Sequence, residues 1–329
     1  VPLRMARRAT KLDPDVIHVF KPIGYSGLAG LYLRRFTKRP LVLDTDDWEG
    51  PGGWNEANPY PALWKRFFAW QERWLARRAD TVTVASRTLQ TQVWGFGVDP
   101  RCVIYLPNGP DAHLLQRPAV SAEQKAAVRA RLGIGEAPFA LYLGHVPYGS
   151  DLDLAIEALA RLLPQLPEAR LVIAGVGAGL PTLQAHAEAV GVAQQVIFPG
   201  WIEHDEAYVY LAAADAAINP YRDTLINRAK CAGKVVLAMA VGQALITSRV
   251  GENLEYVEDG RSGILTEPDD VDDLARAMLA VLSDREWAAE LGRNARQRIW
   301  SRYDWDARVG EVERAYQIAR AGLGSSESR

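Results

Sequence analysis

The chain has 329 residues, 48% of them apolar and 24% charged. These values exclude a disordered or fibrous protein and leave room for two domains of ordinary size. The net charge of −2 is the difference between unlike halves: residues 1–117 hold 17 Lys+Arg and 11 Asp+Glu, a sum of +6, and the remainder holds 21 and 29, a sum of −8. No apolar run reaches the ~18 residues that span a bilayer, and no secretory leader pattern opens the chain. Cys102 and Cys231 have no metal-type spacing, so a reducing, cytoplasmic setting is expected, including the inner face of the plasma membrane.

Taken in chain order, short apolar runs alternate with helical stretches. Strands are expected at 16–20, 41–44, 81–85 and 103–106, and after a polar connection near 111–121 at 139–143, 170–174, 196–198, 216–219, 244–247 and 263–265. Helices at 271–301 and 305–321 close the pattern. Such alternation predicts an α/β chain with two doubly wound, Rossmann-like parallel sheets. The first domain is expected over 1–115 and the second over 116–302, with a terminal helix at 303–321 packing on the first domain and a frayed tail at 322–329. Ligands belong at the carboxyl ends of the strands.

Residues 63–78, LWKRFFAWQERWLARR, form a helix with Trp64, Phe67, Phe68, Trp70, Trp74 and Leu75 on one broad face and Arg66, Arg73 and Arg77 on another. The pattern reads first as aromatics turned to a core with a solvated basic back. Contact of 63–78 with a membrane surface is the alternative. Six of the ten tryptophans precede residue 100, and the basic balance there points to an anionic partner such as a membrane or a phosphorylated acceptor. No nucleic-acid motif is present.

The most polar strand end of the first half is Asp44-Thr45-Asp46-Asp47-Trp48-Glu49. Its D-x-D spacing suits a metal on a diphosphate, but the preferred reading has Asp46, Asp47 and Glu49 binding acceptor hydroxyls, with no metal. Gly50 to Trp54 reads as a mobile substrate loop. Gly175-Val176-Gly177-Ala178-Gly179 has the spacing G-x-G-x-G, not G-x-G-x-x-G, and no acid ends the next strand. A nicotinamide cofactor is therefore not expected.

The segment AADAAINPYRDTLINRAKCAGKVVLAMAVGQALITSRVGENLEYVE, residues 213–258, resembles the nucleotide-sugar segment of the family 4 glycosyltransferases. ADTVTVAS, LPNGPD, LYLGH, ARLVIAGVGAG, VIFPGW and VGENLEYVEDGRSGIL are similar to further segments of that family in the same order. The resemblance implies the GT-B fold, two Rossmann-like domains facing a cleft, with the first domain incomplete at its amino terminus. It also implies retaining transfer of a sugar from a nucleotide-diphosphate donor, with no other cofactor, to a glycan or lipid-linked hydroxyl of the kind found in cell-envelope polysaccharides.

The family's two glutamates fall here on Ala229 and Leu237, and His145 stands where an arginine is expected, with no lysine after it. Donor contacts are therefore assigned to Gly144, His145, Gly149, Ser150, Trp201, Asn227, Arg228, Lys230 and Lys234. The cations at 228, 230 and 234 are expected together beside one helix amino end, where backbone N–H groups favour a phosphate. The loss of the glutamates keeps two alternatives open: a catalytically silent GT-B protein that binds a glycan or serves as partner subunit, and an enzyme using a lipid-phosphate sugar.

Overall fold

The computed structural model describes residues 1–326. They form two compact units, the first made of Val1–Asn108, Thr224–Cys231 and the chain from Trp305 onward, the second of Gly109–Asp223 and Ala232–Asp304.

The first unit begins with α1 (Pro2–Lys11), β1 (Ile17–Phe20), α2 (Gly24–Phe36), β2 (Leu41–Thr45) and α3 (Trp54–Ala57). It continues with α4 (Ala62–Arg78), β3 (Thr81–Val84), α5 (Arg87–Gly95) and β4 (Val103–Tyr105). The four strands pair in parallel in the order β1-β2-β3-β4. β2 and β3 are largely buried on both sides because side chains alternate and both faces are covered. Leu41, Leu43, Val82 and Val84 pack against Leu33, Leu75 and Leu89 of the helices. On the other face Val42 and Ile104 meet Ala315 and Ala319.

In the second unit α6 (His113–Gln116) and α7 (Ala122–Leu132) precede β5 (Phe139–Leu143), α8 (Leu152–Leu162), β6 (Arg170–Ala174), α9 (Leu180–Ala189) and β7 (Val196–Gly200). Then come α10 (His204–Ala213), β8 (Ala216–Asn219), α11 (Leu225–Ala229), α12 (Gly233–Val241), β9 (Leu245–Ser248), α13 (Asn253–Tyr256) and β10 (Ile264–Thr266), α11 belonging to the first unit. Helices α14 (Val271–Ser283) and α15 (Arg285–Tyr303) follow, and α16 (Trp305–Ser326) returns to the first unit, where the Tyr316 hydroxyl lies 3.1 Å from His18 Nδ1. The six parallel strands run β10-β9-β8-β5-β6-β7, so the winding reverses between β5 and β8, where a doubly wound sheet opens a crevice. Ile156, Leu159, Met278 and Val281 fill the face beneath Ala140, Ile173 and Ile218.

The structure corrects several expectations. The helix expected over 271–301 is two helices, because Asp284 takes an extended conformation and its Oδ1 accepts the Trp287 N–H at 2.9 Å, capping a new helix. The segment Thr224–Cys231 sits in the first unit, not in the expected 116–302 domain: Ala229 is 0% exposed among that unit's core side chains. Asn108 fixes the segment's end, its Nδ2 donating to the Cys231 carbonyl at 2.7 Å. Of the tail expected to fray over 322–329, α16 carries the backbone helical through Ser326, and 327–329 lie outside the described residues. Helix α4 divides its aromatics: Trp74 is partly buried against the first core, and Phe67 and Phe68 are half-buried. It buries Gln71, Glu72, Leu75 and Ala76, and leaves Trp64 52% and Trp70 49% exposed.

Candidate functional site

At the reversal point of the second sheet, β5 leads into the loop at Gly144. Lys234, in the first turn of α12, lays its side chain across that glycine. Gly144 has φ +150°, and a Cβ there would stand 2.5 Å from Lys234 Cε, so the close approach requires glycine. The Lys234 ammonium reaches the Tyr142 hydroxyl and lies 4.4 Å from the centre of its ring. Burial pushes the Tyr142 phenol well above its usual pKa, so it stays neutral, donating to the His145 carbonyl at 2.8 Å. The pair fixes a cation at the carboxyl end of β5, beside a helix amino end.

The glycine turn after β6 supports that loop. Cβ atoms at Gly175 and Gly177 would both fall 1.9 Å from the carbonyl oxygens of Gly144 and Val146. The turn's glycines are therefore explained by backbone packing. After β8, Arg222 binds Asp153 at 2.9 and 2.6 Å, Asp151 at 3.2 Å and Asp269 at 3.2 Å, tying the loop to the start of α8. Gly149 and Ser150 line a cavity of about 230 Å³ with Arg222 and His186.

The remaining expected donor residues are dispersed. His145 is exposed, its ring over Gly177, and the Trp201 indole donates to Glu203 Oε1 at 3.0 Å. Asn227, Arg228 and Lys230 belong to the first unit and Lys234 to the second. Lys230 donates to Asn227 Oδ1 at 2.8 Å and lies 5.4 Å from the Trp54 ring. Of the three cations only Lys234 lies in α12; Arg228 belongs to α11 and Lys230 is its carboxyl cap. The backbone is extended at Lys230 and Ala232, which separates α11 from α12.

The carboxyl ends of β1 and β2 in the first unit gather a second set of charges. Lys21 Nζ is 2.7 Å from Asp47, 3.4 Å from Asp46 and 3.6 Å from Glu49. Burial, offset in part by a 2.5 Å bond from Thr83 Oγ1, raises Asp44 to about 6. Beneath them Glu72, 3% exposed, accepts the Glu49 N–H and Gln92 Nε2, both at 3.1 Å, and burial raises it to about 7. Gly50 packs directly on Glu72, and the Trp54 indole donates to Asp47 at 3.0 Å. The stretch expected as a mobile substrate loop is a hydrogen-bonded hook: Gly53 N–H bonds Gly50 O at 2.9 Å, and Trp54 N–H bonds Trp48 O at 2.8 Å. Asp46, Asp47 and Glu49 do come together, around Lys21. Among the described residues no group of three or more His, Cys, Asp or Glu side chains is placed to hold a metal ion, and no helix is long and apolar enough to cross a membrane.

Sequence reasoning missed Lys21, Glu72, Tyr142 and Arg222. The strand-end rule applied to β1 would have found Lys21. Glu72 is the only acid in α4, which was a signal. Nothing in the linear pattern pairs Tyr142 with Lys234.

The chain's relatives agree with this architecture. The model of glycosyl transferases group 1 matches residues 124–298, and that of the glycosyl transferase 4-like domain matches 1–109. Glycogen synthase of Mycobacterium tuberculosis is 33% identical over 316 residues, spanning 94% of this chain and 70% of that protein. The GDP-mannose-dependent alpha-(1-6)-phosphatidylinositol monomannoside mannosyltransferase of Mycolicibacterium smegmatis is 30% identical over 259 residues, spanning 78% of this chain and 65% of that protein. Among solved structures, Anabaena HepE in complex with UDP and glucose superposes with a TM-score of 0.79 at 20% identity, over 96% of this chain and 81% of that one. Sucrose-phosphate synthase of Thermosynechococcus elongatus gives a TM-score of 0.75 at 23% identity, over 97% and 77%. By its sequence matches the chain belongs to the group 1, family 4 glycosyltransferases, and its two parallel-sheet units have the GT-B fold.

Proposed function

We propose that this chain is a retaining glycosyltransferase that moves a sugar from a nucleotide-diphosphate donor to a hydroxyl of a glycan or lipid-linked acceptor. The observation that carries the reading is Lys234, held by Tyr142 across Gly144 at the reversal point of the second sheet. There its ammonium and the α12 amino end meet the charge that develops on a departing diphosphate. Gly144, His145, Gly149, Ser150 and Trp201 are the further donor contacts of this reading on the second unit. Asp46, Asp47 and Glu49 orient the acceptor hydroxyl. Support comes from the relatives' names and from HepE, solved with UDP and with UDP-glucose. Cys102 and Cys231 are not joined in a disulfide, in keeping with the cytoplasmic setting of this reading.

Calorimetric titration of the full chain with UDP-, GDP- and ADP-sugars tests the reading, and binding of at least one at millimolar concentration or below is expected. Lys234→Ala should then weaken that binding by roughly 10- to 150-fold, the equivalent of about 1.5–3 kcal/mol for a bond to a charged group. No binding of any of the three would count against it.

A second reading, a silent GT-B subunit, is favoured by one observation. The expected glutamate positions are Ala229, closed inside the first core, and Leu237, an apolar side chain in a recess that Tyr142, Asn219 and Lys234 also line. Donor binding without transfer to any glycan or lipid acceptor would select it.

A further inference from the structure

The transfer reading uses Lys234 and Tyr142 but not their buried neighbour. Strand β8 ends at Asn219, whose carbonyl accepts the Thr247 hydroxyl of β9 at 2.7 Å. The residue is 4% exposed, and among the described residues its Nδ2 has no hydrogen-bond partner. Alternation along the strand decides where that amide points. Ala216 and Ile218 lie in the core shared with α8 and α14, so Ala217 and Asn219 face the opposite layer. There Leu211 of α10 and Lys234 and Leu237 of α12 close a recess of about 20 Å³ together with Tyr142.

Apart from Asn219, Lys234 and Tyr142 the recess is apolar, and among the described residues no carboxylate lines it. An enclosed amide N–H without an acceptor is costly. One water with two to four polar partners removes that cost, and it needs about 10–15 Å³, less than the recess provides. A phosphate group or a sugar is too large to enter. Three partners for a water line the recess. Asn219 Nδ2 and the Lys234 ammonium are donors to its oxygen. Tyr142 Oη, which already receives the Lys234 ammonium and donates to the His145 carbonyl, keeps a lone pair for one of its protons. The Lys234 charge sits on a flexible four-carbon stem, so a second anchor beside the phenol decides how well the cation is placed.

We propose that Asn219 is a positioning residue for the transfer: it holds one water in the recess between β8 and α12, and that water fixes the Lys234 ammonium across Gly144. The positioning role rests on the transfer reading, whereas the water does not, and the test has an arm for each. A crystal structure of the full chain, at a resolution that shows ordered waters, should place one within hydrogen-bond distance of Asn219 Nδ2 and Lys234 Nζ. The same density should be missing from Asn219→Leu, whose side chain fills the recess. In calorimetry with UDP-, GDP- and ADP-glucose, Asn219→Leu should weaken the sugar that the parent binds by about 3- to 10-fold. Its thermal midpoint should not fall, because the unpaired N–H leaves with the substitution. Asn219→Ser, whose hydroxyl can hold the same water, should restore most of the affinity. In a Lys234→Ala chain Asn219→Leu should change the affinity no further, which a merely structural residue would not obey. A recess without ordered water, an Asn219→Leu protein that binds as tightly as the parent, or an equal loss with and without Lys234 would overturn the proposal. If the parent binds none of the three sugars, the transfer reading falls and the positioning role with it, while the crystal structure still decides the water.

Discussion

A glutamate placed at position 229 is expected to destabilise the first unit by about 3–5 kcal/mol instead of rebuilding a donor contact. Ala229 is fully buried, on a segment held by the Asn108–Cys231 bond and packed among the side chains of the first core. A carboxylate there has no partner in that core, and an unpaired buried charge carries a penalty of that size; overpacking adds to it. The measurement is thermal unfolding of Ala229→Glu against the parent, with a drop of roughly 10 °C in the first transition. Leu237→Glu is the control, because Leu237 is only half buried and should shift the midpoint much less. An Ala229→Glu protein that melted like the parent and bound nucleotide sugars more tightly would show that the segment does not belong to this core.

The second large effect is a dependence of stability on pH governed by Glu72. Its folded pKa, about 7, lies above the ordinary 4.5 because burial disfavours the carboxylate. Between those values the folded chain holds a proton that the unfolded chain has released, so stability falls as pH rises through this window. The shift corresponds to about 3 kcal/mol, present near pH 4.5 and lost by pH 7 and above. Asp44, raised to about 6, acts in the same direction. Glu72→Gln keeps an acceptor for the Glu49 N–H but cannot ionise, so the variant should lose most of the slope and exceed the parent in stability at pH 8. Unfolding midpoints at pH 5, 6, 7 and 8 measure this. A variant with the parent's slope would remove Glu72 from the account. Since Glu72 anchors Glu49 and supports Gly50, its ionisation also bears on the residues proposed to hold the acceptor.

The candidate site was legible in part. Strand-end reasoning found Gly144 and the acids after β2, since ligand groups in doubly wound sheets collect where strands end. It grouped 228, 230 and 234 by sequence proximity, whereas only Lys234 lies in α12. Extended backbone at Lys230 and Ala232 separates α11 from α12, and nothing in the composition of Lys230-Cys231-Ala232 announces that break. Lys21 at the end of β1 and Glu72 as the lone acid of α4 left signals in the sequence, but their meeting with the acids after β2 appeared only when β1 and α4 were placed beside β2.

All ten strands and the two parallel sheets follow from the linear pattern, because a strand covered on both faces must be apolar throughout and is bounded by turn residues. The same pattern could not tell which side of α4 faces inward. Periodicity separates the faces of a helix but does not say what waits opposite each one, and here the hook holds Glu72 inside through the Glu49 N–H while Trp64 and Trp70 stay exposed. The burial of Ala229, the seat of Lys234 over Gly144 and the meeting of Lys21 with three carboxylates were likewise decided in three dimensions. Each depends on contact between residues far apart in the chain, and no local propensity encodes such contacts.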